Sequence, residues 1–490
     1  MIGVHLPALQ VVLPLIVAPL CALVRRGILA WTLALAVSLV LPIIALTLLA
    51  QVRTGEPISY MMGNWAAPYG IEYRIDEVNA LLLVLVSGIG AVVMVYARKS
   101  VAAEIPARLQ GWYYTMYLLC LSGLLGVTIT GDAFNIFVFL EISSLSSYVL
   151  IAMGRDRRAL TAAYQYLIMG TIGATCIVIG VGLLYTMTGT LNLLDLAGRV
   201  AEVGPTRPIL VALAFLTVGI SLKLALFPLH FWLPNAYAYA PSVASAFLAA
   251  TATKVAVYLL LRFIFSVFGP TLTFPSLPLP EIILSLSILA FFAASLVAVF
   301  QENVKRMLAF SSVAQIGYIT LGIGIANETG LTGAIVHLFN HALMKGGLFL
   351  LIGCVALRLG SVTIDDLAGL GRRMPLTAAG IVVACLSMIG APGTVGFVSK
   401  WYLAQAALER GWWWLVVIIV LSSLVTLIYV GRIVEAAYFR EPACEAQESP
   451  LSMLIPALFL VALCVYFGLY TELSVDNAAR AAAVLMQTVR

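Results

Sequence analysis

The stretch KLALFPLHFWLPNAYAYAP, residues 223–241, begins with a lysine inside an apolar segment and then carries three prolines. Proline removes a backbone donor and clashes with the preceding turn, so this pattern predicts a broken helix. A charged side chain at bilayer depth costs at least about 2.5–3.5 kcal/mol on insertion scales. The stretch therefore predicts a discontinuous membrane helix with a charge close to the break, an arrangement typical of transporter binding sites.

The composition of the rest of the chain supports a membrane protein. Of 490 residues, 62% are hydrophobic and only 10% are charged, and the mean hydropathy is +1.06. A soluble domain carries about 25% charged residues. These values predict an all-α polytopic membrane protein embedded in the lipid bilayer, with almost no sequence left for a soluble domain.

About 20 apolar residues are needed to cross a bilayer as a helix, and the chain contains fourteen such segments. The predicted spans lie at about residues 6–24, 28–51, 77–97, 111–130, 132–153, 160–187, 208–231, 243–266, 280–300, 306–326, 331–358, 374–408, 412–437 and 450–470. The longest predicted loop covers about residues 52–76, and the tail after residue 470 is predicted to be short and at most partly helical.

Basic residues are distributed unequally between the two sides of the membrane. Fourteen spans place 15 of them, Arg25 included, in loops on one side and 8, Arg490 included, on the other. The remaining basic residues lie inside predicted spans and complete the total of 27: Lys223, Lys254, Lys345 and Lys400. Because cytoplasmic loops carry an excess of Lys and Arg, the richer side is predicted to be cytoplasmic and both termini to face outward.

A second interrupted helix is predicted near the end of the chain. The twelfth span is too long for a straight crossing and contains GAPGTVGFVSKW, residues 390–401. Val-Gly at residues 218–219 precedes Lys223 with the spacing at which Val-Gly at 395–396 precedes Lys400, an offset of 177. Other short identities recur at offsets of 171 and 168. These matches predict an internal repeat of five helices, and an odd number of helices makes the second copy inverted.

Four segments follow from this repeat. Residues 1–110 hold helices 1–3, and residues 111–266 hold the first five-helix repeat, helices 4–8. Residues 280–437 hold the second, inverted repeat, helices 9–13, and residues 450–490 hold helix 14 and the tail. Helices 7 and 12 are the broken ones, one in each repeat.

Glu141 is an acidic residue that, like the four lysines, lies inside a predicted span, near the middle of the fifth one. One interpretation is a protonated carboxyl in a structural hydrogen bond, and the other is a partner for a lysine. Lys223 is the best candidate partner. Burial disfavours a charged ammonium and a nearby carboxylate stabilises it, so such a pair would act either as a proton switch or as a static ion pair between two helices.

The remaining candidates lie in the second half of the predicted membrane domain. His337, His341 and Lys345 are four residues apart and form one stripe along the eleventh span. Histidine can relay protons because its unperturbed pKa is about 6.5. A structural role and a metal site are the alternatives, although a metalloprotease motif would need Glu where Leu338 stands. Lys254 has threonines beside it, and Lys345 is either a relay member or an anchor.

Cofactor motifs are not found in the sequence. It contains no phosphate-binding loop, dinucleotide fingerprint or nucleophile elbow, so we expect no cofactor, no metal and no nucleic-acid partner. The seven cysteines show no CxxC or CxxxC spacing and are interpreted as small buried hydrophobes: Cys21, Cys120, Cys176, Cys354, Cys385, Cys444 and Cys464.

Four stretches together resemble one family. They are GDAFNIFVFLEISSLSSYVLI (131–151), KLALFPLHFWLPNAYAYAP (223–241), HLFNHALMKGGLFL (337–350) and GAPGTVGFVSKW (390–401). The chain resembles, over its whole length, the antiporter-like subunits shared by Mrp-type cation/proton antiporters, membrane-bound hydrogenases and respiratory complex I. The resemblance implies fourteen core helices with two inverted five-helix repeats and broken helices 7 and 12.

The resemblance also implies roles for the buried residues. Glu141 would be the acid of helix 5 and Lys223 its partner on helix 7. Lys254 would connect the two halves, His337 and His341 would belong to a relay on helix 11, and Lys400 would be the gate of helix 12. With Lys345, these residues are the predicted proton pathway.

Within the family, FNHALMKG (339–346) and GNWAAPYGIE (63–72) look most like the D-type member of the Mrp antiporters. The resemblance then implies a proton-translocating subunit of a Na⁺ or K⁺/H⁺ antiporter, with A- and C-like neighbouring subunits, in the bacterial inner membrane. The alternative is the proton-pumping subunit of a complex I-type NADH:quinone oxidoreductase or of a membrane-bound hydrogenase. A third interpretation, a non-conducting scaffold, predicts that replacing Lys223 or Lys400 has no effect.

Overall fold

A computed structural model describes residues 2–24, 26–442 and 445–487, and Arg25, Cys444 and Arg490 lie outside the described residues. The described part is almost entirely helical, with one short hairpin. Its elements in chain order are α1 (Leu6–Leu23), α2 (Gly27–Thr54), β1 (Ile58–Met61), β2 (Glu72–Ile75), α3 (Glu77–Glu104), α4 (Gln110–Ile129), α5 (Ala133–Ala152), α6 (Arg158–Thr188), α7 (Leu193–Val203), α8 (Arg207–Leu224), α9 (Trp232–Tyr239), α10 (Ser242–Leu261), α11 (Pro270–Ser276), α12 (Leu279–Val299), α13 (Val304–Ile325), α14 (Glu328–Leu359), α15 (Leu370–Arg373), α16 (Pro375–Ile389), α17 (Val395–Glu409), α18 (Trp413–Phe439), α19 (Leu451–Leu469) and α20 (Glu472–Gln487).

The predicted number of membrane crossings is confirmed. Among the described residues, 13 helices are long and apolar enough to cross a membrane. The fourteenth crossing is the predicted twelfth span, which is divided into α16 and α17, each of 15 residues. The apolar stretches thus determine the boundaries of the spans to within a few residues in most cases.

The predicted break in the seventh span occurs after Leu224. There Ala225 adopts a left-handed conformation with φ of 60° and ends α8. The indole Nε1 of Trp232 in α9 donates to the carbonyl oxygen of Leu222 at 3.0 Å. This bond satisfies a carbonyl that the interrupted helix leaves without its usual partner, so the break is a stable feature of the fold.

The break in the twelfth span lies between Gly390 and Val395. Gly390 has a φ of 92° and Gly393 a φ of 81°, values that glycine adopts without the steric cost of a Cβ atom. Lys223 precedes its break, whereas Lys400 follows its own as the sixth residue of α17. The two lysines are therefore not equivalent positions of the repeat, and the sequence match at an offset of 177 does not describe the structural repeat.

An equivalent pair of backbone hydrogen bonds in each half shows the repeat directly. The bonds run from Ala133 N to Leu191 O, from Leu193 N to Gly131 O, from Val304 N to Val362 O and from Ile364 N to Glu302 O. All four atoms of the second pair lie 171 residues after their counterparts, which agrees with the offset of 171. Five crossings separate the two pairs, so they lie on opposite faces and the second repeat is inverted.

The β1–β2 hairpin marks one face of the molecule, which we call the hairpin face. Gly131 N donates to the carbonyl oxygen of Glu72 at 2.8 Å, and the Asn192 amide donates to the Glu72 carboxylate at 2.9 Å. The helix α20 was not predicted, because the tail was expected to be at most partly helical. It forms 16 residues of helix and packs on α14 and α3 through an alanine-rich stripe.

The helices α10, α13 and α14 form the interior of the molecule. Almost every residue of α10 and α13 is buried, and α14 is in contact with α3, α10, α13, α16, α17, α19 and α20. A polar side chain on these helices therefore faces protein rather than lipid. This placement is the one that an intramembrane charge requires.

Candidate functional site

All predicted pathway residues except Glu141 have buried side chains inside the bundle. They belong to α8 (Lys223), α10 (Lys254), α14 (His337, His341 and Lys345) and α17 (Lys400). The basic groups form hydrogen bonds mainly with carbonyl and hydroxyl oxygens. Among the described residues, Lys223 is the one buried lysine of the four that forms an ion pair.

Lys223 and Glu141 are brought together as predicted. The distance from Lys223 Nζ to Glu141 Oε1 is 3.5 Å, whereas Lys223 Nζ donates a shorter bond of 2.8 Å to the Ser144 hydroxyl. The Glu141 side chain is 26% exposed and that of Lys223 only 5%. The pair therefore extends from the interior to the outer surface of α5, with the carboxylate on the outside.

A small cavity of about 30 Å³ lies beside Lys223. Its polar side is formed by α5 and α6, through Ser143, Ser144, Ser147 and Tyr166. One water molecule needs about 10–15 Å³ of such volume and two or more polar partners, so the cavity has room for one or two waters. The α10 residues that line the cavity are apolar: Ala252, Val255, Ala256 and Leu259.

Lys254 lies beyond this apolar wall, on another side of α10. Its Nζ donates to the carbonyl oxygen of Ala249 at 2.5 Å and to the Thr253 hydroxyl at 3.4 Å. Its side chain is directed toward the start of α10. Among the described residues, no hydrogen bond or ion pair joins Lys223 and Lys254, and apolar residues of α10 line the cavity beside Lys223.

The stripe on α14 is formed as predicted and continues to α17. His337 Nδ1 and the Ser399 hydroxyl are 2.7 Å apart, and the rings of His337 and His341 are 6.1 Å apart and nearly parallel. His337 Nε2 and both ring nitrogens of His341 have no protein partner. Within the described part of the chain, no three His, Cys, Asp or Glu side chains gather as a metal site would require.

Lys345 connects α14 with α13. Its Nζ donates to the carbonyl oxygen of Leu308 at 2.9 Å and, over a shorter distance, to the Ser311 hydroxyl. These two bonds provide the contacts that the anchor interpretation requires. They do not exclude a relay, because the buried side chain still ends in a group that can gain and lose a proton.

Lys400 lies at the break of the twelfth span. Its Nζ donates to the carbonyl oxygens of Ile389 at 2.8 Å and Met388 at 3.3 Å, which end α16. It also donates to the Ser423 hydroxyl at 2.8 Å and lies 4.6 Å from the centre of the Tyr318 ring. The ammonium thus sits at the negative end of a half-helix dipole, where a cation is stabilised without a carboxylate.

Two further buried basic residues were missed. Arg262 lies within the predicted eighth span and was assigned to a loop, yet its guanidinium is buried and forms an ion pair of 2.5 Å with Asp76. Lys305 was also assigned to a loop, and its buried Nζ donates to the Ser242 hydroxyl at 3.0 Å. Each contact joins residues that are far apart in the chain. The apolar residues that flank Arg262 and Lys305 in the sequence are the signal from which their burial could have been predicted.

The start of the helix that carries Glu141 is itself polar. Asp132 caps α5 by accepting a bond of 2.7 Å from the backbone N–H of Asn135. Burial raises the pKa of the Asp132 carboxyl, and backbone hydrogen bonds from Asn135 and Phe134 act in the opposite direction. This group lies on the hairpin face, outside the membrane-spanning segments.

Known proteins match the chain over most of its length. The family described as "NADH:quinone oxidoreductase/Mrp antiporter, TM" matches residues 130–426. The N-type subunit of the NADH-quinone oxidoreductase of Desulforudis audaxviator (strain MP104C) is 41% identical over 96% of this chain and 97% of its own length. The D-type subunit of the Na(+)/H(+) antiporter of Bacillus subtilis (strain 168) is 31% identical over 87% of this chain and 85% of its own.

A chain of a solved structure has the same fold. A chain of the membrane-bound sulfane sulfur reductase, an archaeal respiratory membrane complex, superposes with a TM-score of 0.92 and 30% identity. The match covers 99% of this chain and 98% of the other. These matches confirm the predicted fold class and the predicted resemblance. The chain therefore belongs to the NADH:quinone oxidoreductase/Mrp antiporter transmembrane family.

Proposed function

We propose that this chain translocates protons within a multisubunit membrane complex. The proposed pathway runs through Glu141, Lys223, Lys254, the α14 stripe (His337, His341 and Lys345) and Lys400. The observation that carries the proposal is the Lys223–Glu141 pair, in which a buried ammonium faces a partly exposed carboxylate at 3.5 Å. Placing such charges inside a membrane costs free energy, and proteins retain them mostly along ion or proton pathways.

The geometry of the pair supports a switch. Lys223 has two acceptors, the Glu141 carboxylate and the Ser144 hydroxyl. When Glu141 turns away, only a neutral hydroxyl and a small wettable cavity remain, and burial then favours loss of the proton. Because Glu141 reaches the outer surface of α5, a neighbouring subunit would control its position. Transfer from Lys223 to Lys254 requires water or a side-chain movement past the α10 wall.

This proposal is tested by removing the charges of the pair. Glu141→Ala or Lys223→Ala should abolish proton translocation in everted membrane vesicles while the complex still assembles. The control is Glu281→Gln, which changes an exposed acid in the first turn of α12. Undiminished translocation in both alanine variants would exclude the switch, and silent Lys223→Ala and Lys400→Ala variants would support the scaffold interpretation.

We propose an Mrp-type Na⁺ or K⁺/H⁺ antiporter as the assembly, with A- and C-like subunits as neighbours. The similarity to a D-type antiporter subunit over 87% of the chain supports it. The second candidate is a redox-driven pump, and the 41% identity to an NADH-quinone oxidoreductase subunit favours that candidate. Purification of the native complex separates them. Antiporter subunits and Na⁺- or K⁺-dependent proton movement support the first, whereas co-purified redox subunits and proton movement driven by electron transfer support the second.

The proposed setting is the bacterial inner membrane, with both termini and the hairpin face outward. The unequal distribution of basic loop residues supports this orientation, because the richer side faces the cytoplasm in most membrane proteins. The four segments of the chain, residues 1–110, 111–266, 280–437 and 450–490, are proposed as its units. The equivalent backbone bonds at an offset of 171 support the two central ones.

A further inference from the structure

A polar stripe leads from Lys254 toward the hairpin face along α10. Lys254, Tyr258 and Arg262 are four residues apart and share one side of the helix. The stripe ends where the α-helix changes into a π-helical turn, Arg262–Val267. Such turns are rare and often occur at functional sites. In the other direction the stripe reaches the centre of the proposed pathway.

Arg262 is the last residue of this stripe and forms an ion pair with Asp76. A terminal nitrogen of its guanidinium lies 2.5 Å from Asp76 Oδ1, and its Nε donates to the Tyr258 hydroxyl at 3.0 Å. The side chains of Arg262 and Asp76 are only 10% and 8% exposed. Asp76 also caps α3 by accepting the backbone N–H groups of Val78 and Asn79. The guanidinium is thus held firmly between α10 and the start of α3.

A cavity of about 140 Å³ lies against this ion pair, and we call it the hairpin-side cavity. Its wall includes Asp76, Tyr258 and Arg262, and its other polar residues belong to the hairpin, the end of α4 and the π-helical turn: Glu72, Arg74, Thr130 and Ser266. This volume has room for several water molecules. Glu72 therefore offers a second carboxylate within the space that Arg262 borders.

We infer that the Asp76–Arg262 pair is the gate of a proton half-channel between the hairpin-side cavity and Lys254, with Tyr258 as the connecting hydroxyl. This inference rests on the proposed function. A guanidinium does not release its proton in proteins, and a fixed Arg in a narrow pore excludes protons and cations electrostatically. With Arg262 on Asp76, the guanidinium occupies the Tyr258 hydroxyl at the cavity wall and the half-channel is closed. With Arg262 turned toward Glu72, the Tyr258 hydroxyl is released from the guanidinium to the water of the cavity and the half-channel is open.

The test measures access to position 258 rather than transport. Tyr258→Cys is combined with Asp76→Asn or with Arg262→Gln, and labelling by an anionic, membrane-impermeant methanethiosulfonate is measured from the hairpin face. Asn is as good a helix cap as Asp, so Asp76→Asn removes the charge and keeps the cap of α3. Both double variants should be labelled several-fold faster than Tyr258→Cys alone. The unmodified chain gives the background from its own cysteines.

Three controls make the result specific. Ser266→Cys lies in the wall of the cavity and should be labelled in every background. Arg262→Lys keeps the positive charge and should leave position 258 protected. Arg74→Gln breaks the other ion pair of the cavity, Arg74 with Glu72 at 3.6 Å, and should also leave it protected.

An unlabelled position 258 in both the Asp76→Asn and the Arg262→Gln background, with Ser266→Cys labelled, would overturn the gate and leave a purely structural ion pair. If Arg262→Gln fails to accumulate in the membrane, the Asp76→Asn comparison decides alone. Labelling does not depend on proton translocation. Failure of the gate is therefore distinguishable from failure of the Glu141 and Lys223 variants.

Discussion

Ser144 holds Lys223 more closely than the acid that was predicted as its partner. The bond from Lys223 Nζ to the Ser144 hydroxyl is 2.8 Å, whereas the Glu141 carboxylate lies at 3.5 Å. A hydrogen bond to a charged group contributes about 1.5–3 kcal/mol. The hydroxyl therefore holds the Lys223 side chain in position, both while the carboxylate faces it and after the carboxylate has turned away.

Ser144→Ala should consequently slow proton translocation by about tenfold, since each 1.36 kcal/mol in the barrier is a factor of ten. The matched control is Ser146→Ala on the same helix, whose hydroxyl donates to the carbonyl oxygen of Ile142. The initial rate of vesicle acidification measures both variants. Equal rates for the two would show that Ser144 has no part in positioning Lys223.

A substitution of Lys345 separates the two interpretations of this residue. In Lys345→Met the buried charge is removed, and Ser311 keeps its own bond of 2.9 Å to the Leu308 carbonyl. We expect the thermal stability of the variant to change by about 1 kcal/mol at most and proton translocation to be lost. Differential scanning fluorimetry and vesicle assays measure the two quantities. Wild-type translocation in this variant would assign Lys345 to the anchor role alone.

The sequence identified the buried charges but not the groups that surround them. An isolated Lys or Glu within an apolar stretch is visible because hydrocarbon makes it costly. The hydroxyl of Ser144 and the ion pair of Arg262 with Asp76, 186 residues away, look like ordinary helix and loop residues. Their roles depend on which helices pack together, and periodicity in one helix carries no information about that packing.

At the scale of elements, the break in the twelfth span depends on close packing of α16 and α17. A Cβ atom on Gly396 would overlap the backbone carbonyl oxygen of Ser387 in α16. A Cβ atom on Gly219, its match in the sequence, would instead meet the backbone of Gly173 in α6 at 2.6 Å. The two glycines thus serve different contacts, which agrees with the different positions of Lys223 and Lys400 relative to their breaks.

Gly396→Ala should therefore separate α17 from the end of α16 and displace Lys400. We expect a loss of about 1–3 kcal/mol in stability, the usual range for overpacking, and a strong decrease in proton translocation. Gly431→Ala in α18 is the control, because a Cβ there meets no atom within 4 Å. Thermal unfolding of the purified variants measures the effect. A melting temperature equal to that of the control would contradict the predicted clash.

The elements themselves were largely predictable. Apolar segments of about 20 residues define the spans because the bilayer determines their length, and turn residues predicted both breaks. The helix α20 was wrongly expected to be only partly helical. Its buried residues Ala478, Ala481, Ala482 and Leu485 follow helical spacing, so the pattern was present but the small side chains gave a weak hydrophobic signal.

At the scale of the whole molecule, the proposed orientation in the membrane rests on the charge distribution and can be tested with two cysteines. Tyr69 lies in the hairpin connection and is 93% exposed, whereas Ser361 is exposed in the loop after α14 on the opposite face. In intact cells, Tyr69→Cys should be labelled by an impermeant thiol reagent, and Ser361→Cys only after permeabilisation. The reverse pattern would place the termini in the cytoplasm.

The contacts of the buried lysines influence which ions can enter the interior of the protein. Carbonyl and hydroxyl oxygens accept the hydrogen bonds of Lys254, Lys345 and Lys400. Two like charges 4 Å apart repel each other by about 4 kcal/mol at an effective dielectric constant of 20. A neutral lysine amine accepts H⁺ by becoming an ammonium, whereas the ammonium so formed repels Na⁺ and K⁺ because it is positively charged. Proton selectivity would then need no filter of its own, and any alkali ion exchanged for protons would cross the membrane through another subunit.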